Sequence, residues 1–246
     1  MEPEDPTIVV IGAGRMGTAL VTALTAAGAT VLGPAGRGST GAGADIVLLA
    51  VPDAQIADAA AQVTPGPWVG HLSGATTLTS LAPHPGFSIH PLMSVTADTT
   101  SFTGAPAAIA GATPAARATA AELAGLLGMR SFTVSDADRV AYHAAASMAS
   151  NFLVTLEGLA EELAASAGVP RDALVPLVRS AVQNWGRDGA ARALTGPIVR
   201  GDHEVVARQR AAVVDRLPKA VPVFDALTAA TIELARTRAH QQEDHA

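Results

Sequence analysis

The sequence predicts an α/β domain built on a parallel sheet, followed by an all-helical domain. Three observations carry this. Thr7-Ile8-Val9-Val10-Ile11 is a β-branched apolar run, the look of a strand buried on both faces, and it leads straight into Gly12-Ala13-Gly14-Arg15-Met16-Gly17 and a helical pattern. Strand and helix patterns then alternate as far as residue 135. Beyond it only helical patterns appear. The division is therefore placed there, with residues 1–135 as the sheet domain and 136–246 as the helical one.

Thr18 to Ala27 reads as a helix stopped by Gly28, and Thr30-Val31-Leu32 as the second strand. Asp45 to Val51 is another buried strand, ended by Pro52. Only twelve residues, five of them glycine, separate Leu32 from Asp45, too few for a helix, a strand and another helix. A third strand with its helices is thus expected to be deleted, which sets Asp45 to Val51 beside the first strand. A helix over 54–63 and strands over 68–72, 87–90 and 106–110 follow. Thr113-Pro114 caps and opens a helix to Leu127, and Ser131 to Val134 is the last strand. Ser135-Asp136-Ala137-Asp138 has capping-box character, and one helical pattern then persists to Ala167, about 45 Å at 1.5 Å per residue. Gly168 stops it. Pro170 opens a helix ending near Trp185, Asp202 caps one over 203–216, and a last helix covers roughly 219–239.

Composition narrows the class. Of the 246 residues 49% are hydrophobic, but 54 are alanine and only 3% are aromatic, so the core must form by close approach of small residues. Formal net charge is -6, and neither half carries the basic stripe that nucleic acid requires. The absence of cysteine excludes a disulfide scaffold, a cysteine zinc site and a thiol nucleophile. Residues 59–116 hold Asp98 as their one charged side chain, yet their Pro, Gly, Thr and His content forbids a spanning helix. The start, Met1-Glu2-Pro3-Glu4-Asp5-Pro6, is too acidic for a targeting signal. A soluble, cytoplasmic chain is expected, with neither membrane nor nucleic acid as a partner.

The glycine turn suggests what it binds. Gly12 allows a tight turn, Gly14 lets backbone amides approach a pyrophosphate, and Gly17 lets helix and sheet pack closely. Ala13, Arg15 and Met16 complete the turn. The acid expected about 20 residues on, for an adenosine ribose, is missing. Arg37, Ser39 and Thr40 stand there instead, which favours NADP(H) over NAD; otherwise Arg37 is an ordinary loop arginine. Val51 and Pro52 are expected over the cofactor.

VIGAGRMG, DIVLLAVPD, HLSGATTL, SIHPLMSV, YHAAASMASNFLVTLE and ALTGPIVRGD together resemble a Rossmann-like family with a helical C-terminal domain of unknown function. That family is related to 6-phosphogluconate dehydrogenases and pyrroline-5-carboxylate reductases. The resemblance implies a Rossmann-type fold and NADP-dependent reduction. It also implies, from members that act as an alternative ketopantoate reductase in pantothenate biosynthesis, conversion of 2-dehydropantoate to pantoate. Relatives carry a lysine followed four residues later by asparagine on the first long C-terminal helix. Here Ser147 stands in the lysine's place, and the one lysine, Lys219, is far along the chain.

His143, Ser147 and Asn151 recur at i, i+4 and i+8, one polar stripe on a helix where Ala144, Ala145, Ala146 and Ala149 are small enough for another backbone to lie close. On a buried helix such a stripe must find partners, either across to the other domain or in a ligand. In the second case His143 protonates the oxygen of a reduced carbonyl, work that suits a histidine's ordinary pKa of about 6.5, and Asn151 holds the carbonyl. His90, at a strand end beside the crevice, is the competing proton donor or else a core histidine. Ser73, in a turn at the end of the preceding strand, is placed to contact substrate. Arg200, in a Gly- and Pro-shaped loop before Asp202, is the candidate for a substrate carboxylate; its alternative is a surface pair with Asp202. Asn184 is a weaker substrate contact, and Trp68 and Trp185 read as packing residues. His84, His203, His240 and His245 are expected in solvent.

No ligand set for a metal stands out. Leu153, Leu156, Leu159, Leu163, Leu174 and Leu177 read as core, with an exposed remainder expected to seat a second copy as a homodimer. Two other functions stay open: an imine reductase of the pyrroline-5-carboxylate type, and a non-catalytic dinucleotide sensor.

Overall fold

A computed structural model describes residues 6–243, with side chains to residue 238. The first elements are β1 (Ile8–Ile11), α1 (Arg15–Ala26), β2 (Val31–Ala35), β3 (Ile46–Leu49), α2 (Ile56–Gln62) and β4 (Trp68–His71). Then come β5 (Phe87–Pro91), β6 (Pro106–Gly111), α3 (Pro114–Leu126) and β7 (Arg130–Thr133). The seven strands lie in the order β2-β1-β3-β4-β5-β6-β7. β3 sits directly against β1, with Ile8 opposite Ile46 and Ile11 opposite Leu49. No strand or helix separates β2 from β3, as the short glycine-rich link requires. β2 is the edge strand, which tolerates Pro34.

One pair departs from the parallel sheet. β5 and β6 run antiparallel, His90 opposite Ala108. The link between them, 92–105, contains no helix to carry a crossover, so the chain turns back.

Side chains alternate across the sheet. Ile8 and Val10 of β1 pack with α1 and α3 on one face; Val9 and Ile11 pack with Ile56 and Ala60 of α2 and with Leu81 on the other. Val69 of β4 belongs to the α2 face and Phe87 and Ile89 of β5 to the opposite one. By the same alternation His71, Ser88 and His90 fall on the α2 face, His71 at the C-terminal end of β4 and His90 near that of β5.

Helices fill the rest: α4 (Arg139–Ser147), a π turn at Met148–Phe152, α5 (Leu153–Ser166), α6 (Arg171–Asp188), α7 (Ala190–Ala193), α8 (His203–Arg216) and α9 (Val221–Glu243). The single helix expected to Ala167 is thus broken by the π turn. The extra residue in that turn also breaks the even drift expected between Ser147 and Asn151. Two compact units divide between Asn151 and Phe152, whereas the change from alternating to helical pattern lies at 135. α4 belongs to the sheet unit.

Both expected side-chain caps form. Thr113 Oγ1 accepts from the Ala116 amide at 3.1 Å and Asp202 Oδ1 from the Val205 amide at 3.3 Å. At α4 the N-cap Asp138 makes no cap bond; its carboxylate accepts from Ser135 instead, at 2.6 Å. In the helical unit α5, α6 and α7 contain no buried residue, so the leucines expected as core are half-buried, and Leu177 is 66% exposed. Trp185, expected to pack, is 59% exposed, while Trp68 packs against the core. No helix among the described residues is long and apolar enough to cross a membrane.

Candidate functional site

A cavity of about 700 Å³ opens where β1 and β3 end. Gly12, Ala13 and Gly14 line it, with Gly36, Arg37, Gly38 and Ser39 after β2 and Val51 and Pro52 after β3. Its glycines do different work. Gly12 has φ +118°, and a Cβ there would lie 2.2 Å from the Ala50 carbonyl oxygen. A Cβ on Gly17 would lie 1.8 Å from the Gly12 carbonyl oxygen, so Gly17 is a packing position and not a lining one. Gly14, the N-cap of α1, faces open space, with nothing within 4 Å of its Cβ position. Amides at the start of α1 therefore face the cavity without a side-chain cap, the arrangement that suits a phosphate. Of the other turn residues Arg15 is exposed and Met16 packs against the core. Gln55, Asp58, Ala59 and Gln62 of the segment leading into and through α2 complete the wall, a contribution the sequence reading missed.

Asp53, one residue beyond the cavity wall, joins it to a second cluster. Ser73 Oγ donates to Asp53 Oδ2 at 2.7 Å and accepts from the amides of Ala75 and Thr76 at 3.2 and 2.9 Å. Behind Ser73 lies His71, fully buried. Its Nδ1 accepts from the Ser73 amide at 3.2 Å, which places its proton on Nε2. Nε2 is a buried nitrogen without a partner. Burial, then the Arg139 cation, lower the His71 pKa to about 4, in agreement with a neutral ring.

His90 is the centre of this cluster. Its Nδ1 lies 2.7 Å from the Tyr142 hydroxyl, and its ring meets those of Tyr142 and His143 edge-on, at centroid distances of 5.5 and 6.0 Å. Burial, then the neighbouring His143, lower its pKa to about 4, which keeps the ring neutral at pH 7. Gly74 lies against both histidines: a Cβ there would fall 2.8 Å from His143 Cδ2 and 2.9 Å from His90 Cε1. Tyr142 is itself pushed above the usual tyrosine pKa by burial.

Arg139, absent from the sequence reading, underlies the cluster and is 2% exposed. Nε pairs with Asp136 at 2.7 Å, Nη1 reaches the Ser73 carbonyl at 3.5 Å, and Nη2 bonds Ser88 Oγ. The signal for it was its position four residues before His143, on the same helix face.

The expected residues distribute as follows. His90, Ser73 and His143 come together. Ser147 is half-buried further along α4, and Asn151 lies in the π turn beside Ser150, whose hydroxyl is 3.1 Å from that of Ser94. The helix under this stripe is not buried as expected: Arg139 is the one buried residue of α4. In the helical unit Arg200 is exposed, Asn184 accepts from Arg187 at 3.3 Å, and Lys219 pairs with Glu162 at 2.7 Å. His203 is exposed, but His84 is half-buried with Nε2 3.1 Å from the Ala60 carbonyl. The His240 side chain and His245 lie outside the described residues. No group of metal ligands exists among the described residues.

No curated protein matches the chain. Solved structures do. BF3122 of Bacteroides fragilis, which carries the provisional description NADP oxidoreductase, is 21% identical with a TM-score of 0.80, over 94% of this chain and 99% of that one. TM1727 of Thermotoga maritima is 21% identical with a TM-score of 0.76 over the same shares. A reductive aminase from Aspergillus terreus, in complex with NADPH and ethyl levulinate, is 17% identical with a TM-score of 0.71, over 95% and 94%. These likenesses establish the shared fold. Residues 105–231, over half of the chain, match the family model described as a domain of unknown function, DUF2520, and the chain belongs to that family.

Proposed function

We propose that this is an NADPH-dependent reductase of a small carbonyl compound bearing a carboxylate, with 2-dehydropantoate as the substrate of choice. The observation that carries the reading is the junction of the two sites. A glycine-lined cavity with uncapped helix amides meets, through Asp53 and Ser73, a cluster of two histidines and a tyrosine at the ends of β4 and β5. Open α/β sheets bind their ligands at that end. BF3122 and the aminase, with their NADP oxidoreductase description and bound NADPH, agree with it.

The cavity residues fit the cofactor. Gly12, Ala13 and Gly14 give the pyrophosphate its amides, Arg37 and Ser39 suit a 2′-phosphate, and Val51 and Pro52 cover the ring side. When bound, NADPH supplies the hydride that reduces the carbonyl carbon. His143 gives the proton to the carbonyl oxygen. His90, neutral at pH 7, is left as a hydrogen-bonding group rather than the acid. Asn151 and Ser147 orient the carbonyl, Ser73 the rest of the substrate. We assign the carboxylate to Arg200, on its charge and exposure, with Asn184 as a further contact.

Val154, Leu177 and Trp185, 71%, 66% and 59% exposed, favour a second copy of the chain over the helical unit, hence a homodimer. Imine reduction is the second reading, favoured by the aminase likeness.

Oxidation of NADPH by the purified protein, with 2-dehydropantoate and with a cyclic imine in parallel, tests this. Faster turnover of the oxo acid is expected. Turnover of the imine alone replaces the substrate, and NADPH binding without turnover of either leaves a dinucleotide sensor.

A further inference from the structure

Arg139 is a cation sealed inside the protein on a helix that is otherwise half-buried or exposed. Burying such a group is costly unless each donor is met. Here the fork of the guanidinium meets three separate pieces of chain. Asp136 lies just ahead of α4, the Ser73 carbonyl is in the loop after β4, and Ser88 sits in the middle of β5. Asp136 also accepts from the Leu78 amide at 3.4 Å, tying in the short turn Leu78–Leu81. Three and four residues on, Tyr142 and His143 leave the same face of α4 and reach His90 and Gly74.

We propose that Arg139 is the positioning residue of the reductase site: its fork fixes the loop after β4, strand β5 and the first turn of α4 in one register, which brings Tyr142 and His143 against His90. The inference rests on the proposed reductase reading for its activity readout only. A lysine cannot substitute, because one ammonium lacks the planar fork that spans three acceptors.

The same cation acts on the histidines. Arg139, Asp53, Asp136 and His90 face His71; His143, Tyr142, Asp53 and Arg139 face His90. Arg139 holds both rings toward the neutral form, whereas the two carboxylates pull His71 toward the charged one.

Histidine ¹⁵N NMR titration of the full chain, with steady-state turnover beside it, separates positioning from mere support. In the wild type both rings are expected to titrate with midpoints near 4. Arg139→Gln is expected to raise both midpoints and lower kcat by about 100-fold, with NADPH affinity unchanged. Arg139→Lys keeps the charge and the low midpoints but loses kcat. Asp136→Asn lowers the His71 midpoint further. Should Arg139→Gln fail to fold, the lysine and asparagine variants decide alone. The proposal is overturned if Arg139→Lys turns over like the wild type, or if a folded Arg139→Gln leaves both midpoints in place. The titrations need no substrate, so a protein that reduces nothing offered to it would end the reductase reading and leave the register argument to the NMR.

Discussion

Asp53 and Ser73 hydrogen bond at 2.7 Å, and this one contact ties the residue next to the cofactor cavity to the turn that carries His71 and Gly74. The Ser73 hydroxyl also takes two backbone amides, so it closes the turn as well as joining it to Asp53. Ser73→Ala leaves those groups without their partner and should cost about 1–3 kcal/mol of stability in denaturant unfolding. Asp53→Asn keeps an acceptor and should cost far less. A Ser73→Ala loss below about 0.5 kcal/mol would show that the hydroxyl does not organise the turn.

Gly14 and Gly17 should separate binding from folding. Gly17→Ala drives a methyl into the Gly12 carbonyl, so a lowered melting temperature is expected even without cofactor. Gly14→Ala meets nothing in the fold. It should melt like the wild type yet bind NADPH more weakly, because its methyl stands where the phosphates approach. Calorimetry and fluorescence titration of the two variants check both halves.

Stability should fall in acid. His71 and His90 bind protons less readily folded, at about 4, than unfolded, at 6.5, so the unfolded chain takes up the extra protons between these values. The contribution is complete above pH 6.5 and is lost as pH drops toward 4, on the order of 3 kcal/mol per histidine. A melting temperature flat from pH 7 to 4.5, or one that rises, would show that the rings are not held neutral.

His143→Ala discriminates between the two reductions. Ketone reduction needs a positioned acid, typically worth about 100- to 10,000-fold, whereas an imine nitrogen needs little help. The expected loss in kcat with 2-dehydropantoate is therefore at least 100-fold. A loss below about tenfold would remove His143 from the proton transfer.

Most of the fold was legible because local signals and tertiary contacts agree in it. The run Thr7 to Ile11, the glycine turn and the short link before Asp45 each admit one arrangement, and the place of β3 beside β1 follows from them. The reversal of β6 was harder to read, since Pro106 to Ala110 looks the same in either direction and only the missing crossover helix decides it. At the site, His90, Ser73 and His143 stood out as polar residues at strand ends or on a helix of small residues. Tyr142 and Arg139 did not. The helix spacing puts Arg139 on the face of His143, but what these residues meet depends on which strand residues face α4, a matter of sheet parity and long-range packing. The helical unit misled for another reason. Its leucine spacing promises a buried core, yet a periodic apolar face says nothing about whether the chain's own residues cover it.

The most direct test of the central claim follows the hydrogen itself. Incubation of the protein with 2-dehydropantoate and NADPH deuterated at the transferring carbon, with mass spectrometry of the product, is expected to yield pantoate carrying deuterium at its new C–H position. Pantoate without deuterium, or no pantoate while NADPH is bound, would contradict hydride transfer at this site.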